Sequence, residues 1–196
     1  MRNKTNFQTG FNLCSLAAFF LTLGAAAPES VTLSEGKDSY HIEGVFEVQA
    51  ERSQVWQVLT DYGALKGVVS SLAESAVLER KGDEVLVLQT MLGHFLFFSR
   101  SVNLKLHISE SPQNSMVFEE ISRKDFRLYC GSWKLDETPL GVQVHYELNV
   151  SSADMAPPFL EKSLFQDNAL VLLKELKAEI IKRAAVQASG ARRVKG

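Results

Sequence analysis

The chain is short of residues that announce a mechanism. Two cysteines occur in 196 residues, Cys14 and Cys130. Cys14 sits inside an N-terminal apolar run, so no disulfide framework is open to the rest of the chain, which has to rest on a core. Cys130, in "RLYCGSW", has apolar neighbours and is expected to be a buried small hydrophobe, not a nucleophile. The four histidines, His41, His94, His107 and His145, are far apart, and neither C-x-x-C nor H-E-x-x-H occurs. That spacing argues against a metal site. The chain lacks G-x-x-x-x-G-K-[ST], G-x-G-x-x-G and a nucleophile elbow, so no phosphate cradle or hydrolase serine is indicated. It also lacks an excess of one charge: 21 Lys and Arg stand against 23 Asp and Glu. No basic field argues for a nucleic-acid partner. No cofactor is expected.

One long apolar run does exist, at the N-terminus. Arg2 and Lys4 precede "FNLCSLAAFFLTL", and "GAAAP" follows. That order reads as a secretory signal peptide over residues 1–26, cleaved after Ala26. An uncleaved anchor is the alternative, since the run extended to Ala27 reaches about 17 residues, the lower limit for a span. Cleavage leaves 19 basic against 23 acidic residues, because Arg2 and Lys4 go and no acid does. The protein is expected to be exported, periplasmic or extracellular, and monomeric.

Residues 27–39 are small and polar, without a clear period, and read as a flexible lead-in. Tyr40 to Val48 alternates as a strand does. Val55, Trp56, Val58 and Leu59 then fit one side of a short helix, which Asp61-Tyr62-Gly63 stops. A second short helical piece is expected over Leu65–Ser70. Six strands follow: Ser75–Arg80, Glu84–Met91, Phe95–Ile108, Ser115–Ile121, Arg127–Asp136 and Val142–Val150. Turns are expected at Lys81–Asp83, Gly93-His94, "SESPQNS" and "ETPLG". Successive strands with short turns argue for an antiparallel meander. Phe159 to Val186 has helical spacing, with Phe165, Ala169, Leu172, Leu176, Ile180 and Ala184 in one stripe widened by Leu173. Residues 187–196, "QASGARRVKG", read as a disordered basic tail with at most weak contact to a membrane surface.

The fold class is therefore α+β. A curved antiparallel sheet of about seven strands carries two short helices after its first strand and a long C-terminal helix across it. A straight helix cannot follow a strongly curved sheet, so a cavity between them is a natural outcome.

Several motifs resemble those of a known family. Val45 to Leu65 carries Val55-Trp56, Leu59-Thr60-Asp61-Tyr62 and Leu65 in the order that opens START-like (SRPBCC, helix-grip) domains. Gly131-Ser132-Trp133, Gly141 and Tyr146-Glu147-Leu148 resemble the family's later pattern, and a proline-started final helix completes it. The resemblance spans residues 40–186. It is closest to the polyketide cyclase/dehydrase and coenzyme Q-binding Coq10-like branch, and it implies a fold more strongly than a function.

One strand raises a pointed question. In "HFLFFSRSVNLKLHI", Leu96, Phe98, Val102, Leu104, Leu106 and Ile108 share a face, and position 100 on that face is arginine. A buried cation needs a partner. Three arrangements are open: a bulge at Ser99–Ser101 turns Arg100 to solvent, Arg100 pairs with Glu120, or it meets a ligand head group. Glu120 shares a face with Met116 and Phe118 and either points inward or is turned by a bulge. If the cavity binds a ligand, its wall is expected to comprise Phe98, Arg100, Val102, Leu104, Phe118, Glu120, Trp133, Val144, Tyr146, Phe165 and Leu172. In such a fold the cavity wall and the core face partly merge.

Three functions fit. The first is a carrier or sensor of a hydrophobic small molecule or lipid. The second is a cyclase or dehydratase acting on a polyketide-like substrate, for which only Arg100, Glu120 and Tyr146 offer chemistry. The third is an envelope interaction module without ligand.

Overall fold

The structure is a computed structural model. It describes residues 29–95, 98–153 and 158–194, with the side chains of 93–95, 98–100, 158–160 and 191–194 left outside the description. The segment read as a signal peptide, residues 1–26, lies outside the described residues.

Among the described residues, eight strands form one antiparallel sheet. They are β1 (Ser30–Glu35), β2 (Tyr40–Val48), β3 (Leu72–Lys81), β4 (Glu84–Phe95), β5 (Phe98–Ser111), β6 (Ser115–Glu120), β7 (Phe126–Thr138) and β8 (Gly141–Ser152). Their spatial order is β1-β2-β8-β7-β6-β5-β4-β3. The expected meander runs from β3 to β8, and β8 returns to pair with β2. Two short helical pieces, α1 (Arg52–Thr60) and a 3₁₀ turn (Leu65–Gly67), follow β2, and α2 (Pro158–Val194) ends the described chain. The expected helix-grip architecture is the one observed.

The period-two patterns explain the inner face. Val142, Val144, Tyr146, Leu148 and Val150 are all buried on β8, as are Ile42, Phe46 and Val48 on β2. On β5, Val102, Leu104, Leu106 and Ile108 are buried as well. The β4–β5 ladder runs unshifted from Glu84↔Ser109 to Phe95↔Phe98. Position 100 therefore keeps the parity of Val102, and the bulge that would turn it is absent from the backbone. The Arg100 and Phe98 side chains lie outside the described residues.

The structure corrects four boundaries. An eighth strand, β1, lies within the segment read as a lead-in. Its alternation is carried by only two residues, Val31 and Leu33, which pack against the core from the sheet edge. That is too little to register as a period. No turn forms at Gly93-His94: β4 continues to Phe95, with Gly93 paired to Arg100. β7 is longer than expected at both ends, because its ladder with β8 supports residues whose own pattern is weak. The last helix runs on to Val194, through most of the segment read as a tail. Gln54 Nε2 donates to Gln187 Oε1 at 2.7 Å and so ties that extension to α1.

Where α2 sits is set by one glycine. Leu173, fully buried, lies over Gly44 of β2, where an added Cβ would stand 2.5 Å from Leu173 Cδ1. The helix thus approaches β2 closely. It also lies near β1 and α1. Polar pins hold it there: Lys177 Nζ meets the Glu29 carboxylate at 3.1 Å, Arg183 Nη1 meets Asp61 at 2.9 Å, and Glu175 accepts the Ser70 N–H at 2.9 Å. At its start, Lys162 pairs with Glu35 at 2.6 Å, and the Ser152 hydroxyl donates to Glu161 at 2.7 Å. With 37 residues α2 is about 55 Å long, enough to span the sheet.

Two glycines should respond differently to substitution. At Gly131 a Cβ would land on the Glu147 carbonyl oxygen and crowd Phe118, so backbone must move. At Gly44 the obstacle is the tip of one side chain. We expect Gly131→Ala to lower urea-measured stability by about 2–3 kcal/mol and Gly44→Ala by about 1 kcal/mol, the span of overpacking costs. Adding Leu173→Ala should relieve the Gly44→Ala clash and leave Gly131→Ala unaffected.

Candidate functional site

Because α2 rests on the β1–β2 side, the rest of the inner sheet face is not filled by the helix. A cavity of about 180 Å³ lies there. Its floor is Met91, Val102, Leu106, Ile108, Met116, Phe118, Phe126, Tyr129, Trp133, Tyr146 and Leu148 from β4 to β8. Its roof is Leu164, Phe165, Asn168, Ala169, Leu172 and Leu176 from α2. Leu59, Tyr62, Leu65, Val69 and Leu72, around the 3₁₀ turn, close one side. Among the described residues the wall carries no charged side chain.

The aromatic part of the floor is a connected cluster. Trp133 and Tyr146 have ring centroids 4.5 Å apart, Phe118 and Tyr146 stack at 6.4 Å, and Phe126 and Tyr129 meet at 5.0 Å. The Tyr129 and Tyr146 phenols are close enough for each to influence the other's titration. Burial pushes the Tyr129 phenol up to about 12, with the Tyr146 hydroxyl drawing it back in part. Burial and the neighbouring Tyr129 hold Tyr146 well above the usual phenol range. Both stay protonated at neutral pH.

The sequence-derived wall residues other than Phe98 and Arg100, whose side chains lie outside the described residues, fall into three groups. Val102, Phe118, Trp133, Tyr146, Phe165 and Leu172 line the cavity. Leu104 and Val144 are fully buried but pack in the core away from it. Glu120 does point inward, yet it stands outside the cavity wall. Its carboxylate accepts N–H bonds from Lys105 at 3.2 Å, Ser122 at 2.8 Å and Arg123 at 2.6 Å. It closes the β6–β7 turn, where Arg123 takes a left-handed φ of 52°. Burial works to raise its pKa, but the hydrogen bonds from Ser122, Arg123 and Lys105 outweigh that and hold it below the usual carboxylate range.

Behind Tyr62, at one end of the cavity, the structure adds a polar cluster that the periodicities missed. Tyr62 is 3% exposed and its hydroxyl donates to Glu110 at 2.7 Å. Arg80 clamps the same carboxylate through two bonds, of 3.0 and 2.9 Å, with its guanidinium 5.9 Å from the Tyr62 ring centre. Burial, then the Glu110 carboxylate, keeps the Tyr62 phenol raised. The only signal of this in the sequence is the tyrosine in "LTDYG", which read as a helix stop. Gln89, on the floor, donates to Ser75 at 3.3 Å, and Ser75 to the Tyr62 carbonyl at 2.6 Å.

Other candidates fall on the outer face. Cys130 is half-buried there, opposite in parity to Tyr129, and not fully buried as expected. Desolvation, then nearby Glu119, raises its thiol pKa, which keeps it protonated and a poor nucleophile. His41, His107 and His145 also face outward, against Glu43, Glu84 and Asp136 respectively. His94 has its side chain outside the described residues.

Residues 48–171, more than half of the chain, match a family model described as polyketide cyclase / dehydrase and lipid transport. No curated protein sequence matches. Among solved structures, a STAR-related lipid transfer protein from Xanthomonas axonopodis aligns at a TM-score of 0.67 and 18% identity, over 80% of this chain and 97% of that one. Human STARD10 aligns at 0.65 and 13% identity, over 86% and 76%. The Zhui aromatase/cyclase from Streptomyces sp. R1128 aligns at 0.64 and 13%, over 74% and 95%. At these identities the structures share the fold with this chain.

The Glu120 turn has a defined pH signature. A carboxyl with a folded-state pKa below its unfolded value contributes stability above the usual glutamate range, and loses it as pH falls through the lowered folded value. Glu120→Gln should cost about 1–3 kcal/mol at pH 7, because it removes the charge from three part-buried amide bonds. It should also flatten the acid limb. Urea midpoints at pH 7 and pH 4 check both, the gap between variant and parent shrinking at the lower pH.

Proposed function

Because the chain belongs to the polyketide cyclase / dehydrase and lipid transport family, we propose that it is a carrier or sensor holding a hydrophobic small molecule or lipid between α2 and the sheet. The observation that carries this reading is the cavity, enclosed by apolar side chains and aromatic faces with only a few uncharged polar groups. Apolar surface of that kind offers the hydrophobic driving force for uptake. Its free volume exceeds the roughly 150 Å³ of an engineered cavity that takes up benzene. The enzyme alternative is weaker. General acid–base work needs a proton-transferring group within reach of the substrate. Glu120 is occupied in its turn, Glu110 is clamped by Arg80, and the two phenols are held far from titration. Export to the periplasm or beyond and a monomeric state complete the proposal. The leader-like residues 1–26 support the first, and the loss of their mass from protein recovered from its native host would test it.

Native mass spectrometry of that protein should reveal a co-purifying apolar mass. Purified protein should take up the neutral dye N-phenyl-naphthylamine with a rise in fluorescence. Ala169→Leu, which places a larger side chain in the roof, should weaken dye binding at least about tenfold while shifting the melting temperature by only a few degrees, an overpacking cost offset by filled space. Uptake unaffected by Ala169→Leu would locate the dye elsewhere and count against the carrier reading.

A further inference from the structure

One glutamine on the cavity floor narrows the ligand class. Resting on the carrier reading, we propose that Gln89 is a specificity-determining residue of the cavity, and that its carboxamide selects an apolar molecule bearing a hydroxyl group.

Gln89 interrupts an apolar row. Val85, Val87, Gln89 and Met91 share the inner face of β4 by their spacing. Val85 and Val87 are buried, and Gln89 and Met91 line the cavity. Across the sheet Gln89 stands between the fully buried Leu104 on β5 and Ser75 on β3. The row and the β5 neighbour call for an apolar side chain, and a carboxamide there gives up water that only a hydrogen bond repays.

The amide is held in one orientation. Ser75 is 5% exposed, and its hydroxyl donates to the Tyr62 carbonyl at 2.6 Å. A hydroxyl has one hydrogen, so toward Gln89, 3.3 Å away, Ser75 can only accept. Gln89 must therefore turn its nitrogen to Ser75, which fixes where its oxygen lies. Among the described residues that oxygen accepts no hydrogen bond, while the nitrogen keeps a second hydrogen. The floor thus carries a pre-oriented acceptor beside a spare N–H. A ligand hydroxyl can donate to the first and can accept from the second. A ketone can use only the N–H. The wall's other carboxamide, Asn168 on the roof, has no such relay among the described residues to orient it.

The test uses the full chain and displacement of N-phenyl-naphthylamine by 2-octanol and 2-octanone, each displacement constant corrected for the variant's own dye affinity. The alcohol is expected to bind about three- to tenfold more tightly than the ketone, the worth of one neutral hydrogen bond. Gln89→Met, similar in shape and without the amide, should bring that ratio close to one. Ser75→Ala, which frees the amide to turn its nitrogen into the cavity, should narrow the ratio by strengthening the ketone while leaving the alcohol within about twofold. That change is one a loss of stability would not produce, and it gives a reading even if Gln89→Met folds poorly. Asn168→Leu should keep the preference. Equal binding of the two compounds by the parent, an unaltered ratio in folded Gln89→Met, or a preference lost only in Asn168→Leu would overturn this inference and leave the carrier reading standing. A protein that takes up neither the dye nor either compound would overturn both.

Discussion

The contact of Leu173 with Gly44 governs the rest of the molecule. It lets α2 settle against β2, and the ion pairs to Glu29 and Asp61 with the Glu175 bond to the Ser70 amide hold that half of the helix in place. At the other end Glu161 and Lys162 tie the helix to Ser152 and Glu35. The stretch between these supports, Leu164 to Leu172, crosses the concavity as a beam. A straight α-helix keeps its hydrogen-bond ladder only by staying straight or curving gently. The strongly twisted sheet falls away beneath it. The void is thus a consequence of rigid backbone geometry on both sides.

Charge follows the same division. Every buried acid near the void has been given a structural partner, and the partners differ with position. Glu120 ends a strand and collects turn amides, Glu161 lies in the first turn of α2 and takes a hydroxyl, and Glu110 lies near the end of the long strand β5 and is clamped by Arg80. Each arrangement repays desolvation locally. None leaves a carboxylate aimed into the void, so the acids shape the potential around the site without supplying it with a reactive group.

Much of this was legible because it depends on periodicity. β2 begins and ends where its alternation does, Tyr40 to Val48, and the inner rows of β8 and of β5 from Val102 to Ile108 were readable residue by residue. The stripe on α2 was readable too. What escaped was whatever depends on partners distant in sequence. β1 is a strand because β2 offers an edge, not because "SVTLSE" insists on it. Gly93 reads as a turn residue until a continuous ladder with β5 recruits it. Gln187 extends a helix because Gln54 is there to meet it. For the site, alternation gives which side of a strand a residue occupies. It does not say which part of that side the helix covers. Val102 and Leu104 are neighbours on one face of one strand, and only Val102 borders the void, while Leu104 is closed over by packing. The Arg80–Glu110–Tyr62 cluster behind the cavity joins three segments with no shared pattern and had no local signature.

The same reasoning explains why much of the polar content of the floor comes from tyrosine. A floor residue must satisfy two demands: it packs edge to edge with its neighbours in a dry cluster, and any polar atom it brings must be bonded or face the void. Tyrosine meets both, because its ring fills the core and its one hydroxyl sits at the far tip. Tyr129 and Tyr146 line the floor from neighbouring strands, while the Tyr62 hydroxyl donates to Glu110 behind the cavity. A serine in the same rows would bury its hydroxyl near the backbone, out of reach of anything in the void, and a lysine would require a counter-charge that the wall does not have. The family's fold supplies the space, and this distribution of phenols supplies the chemical character of the space in this chain.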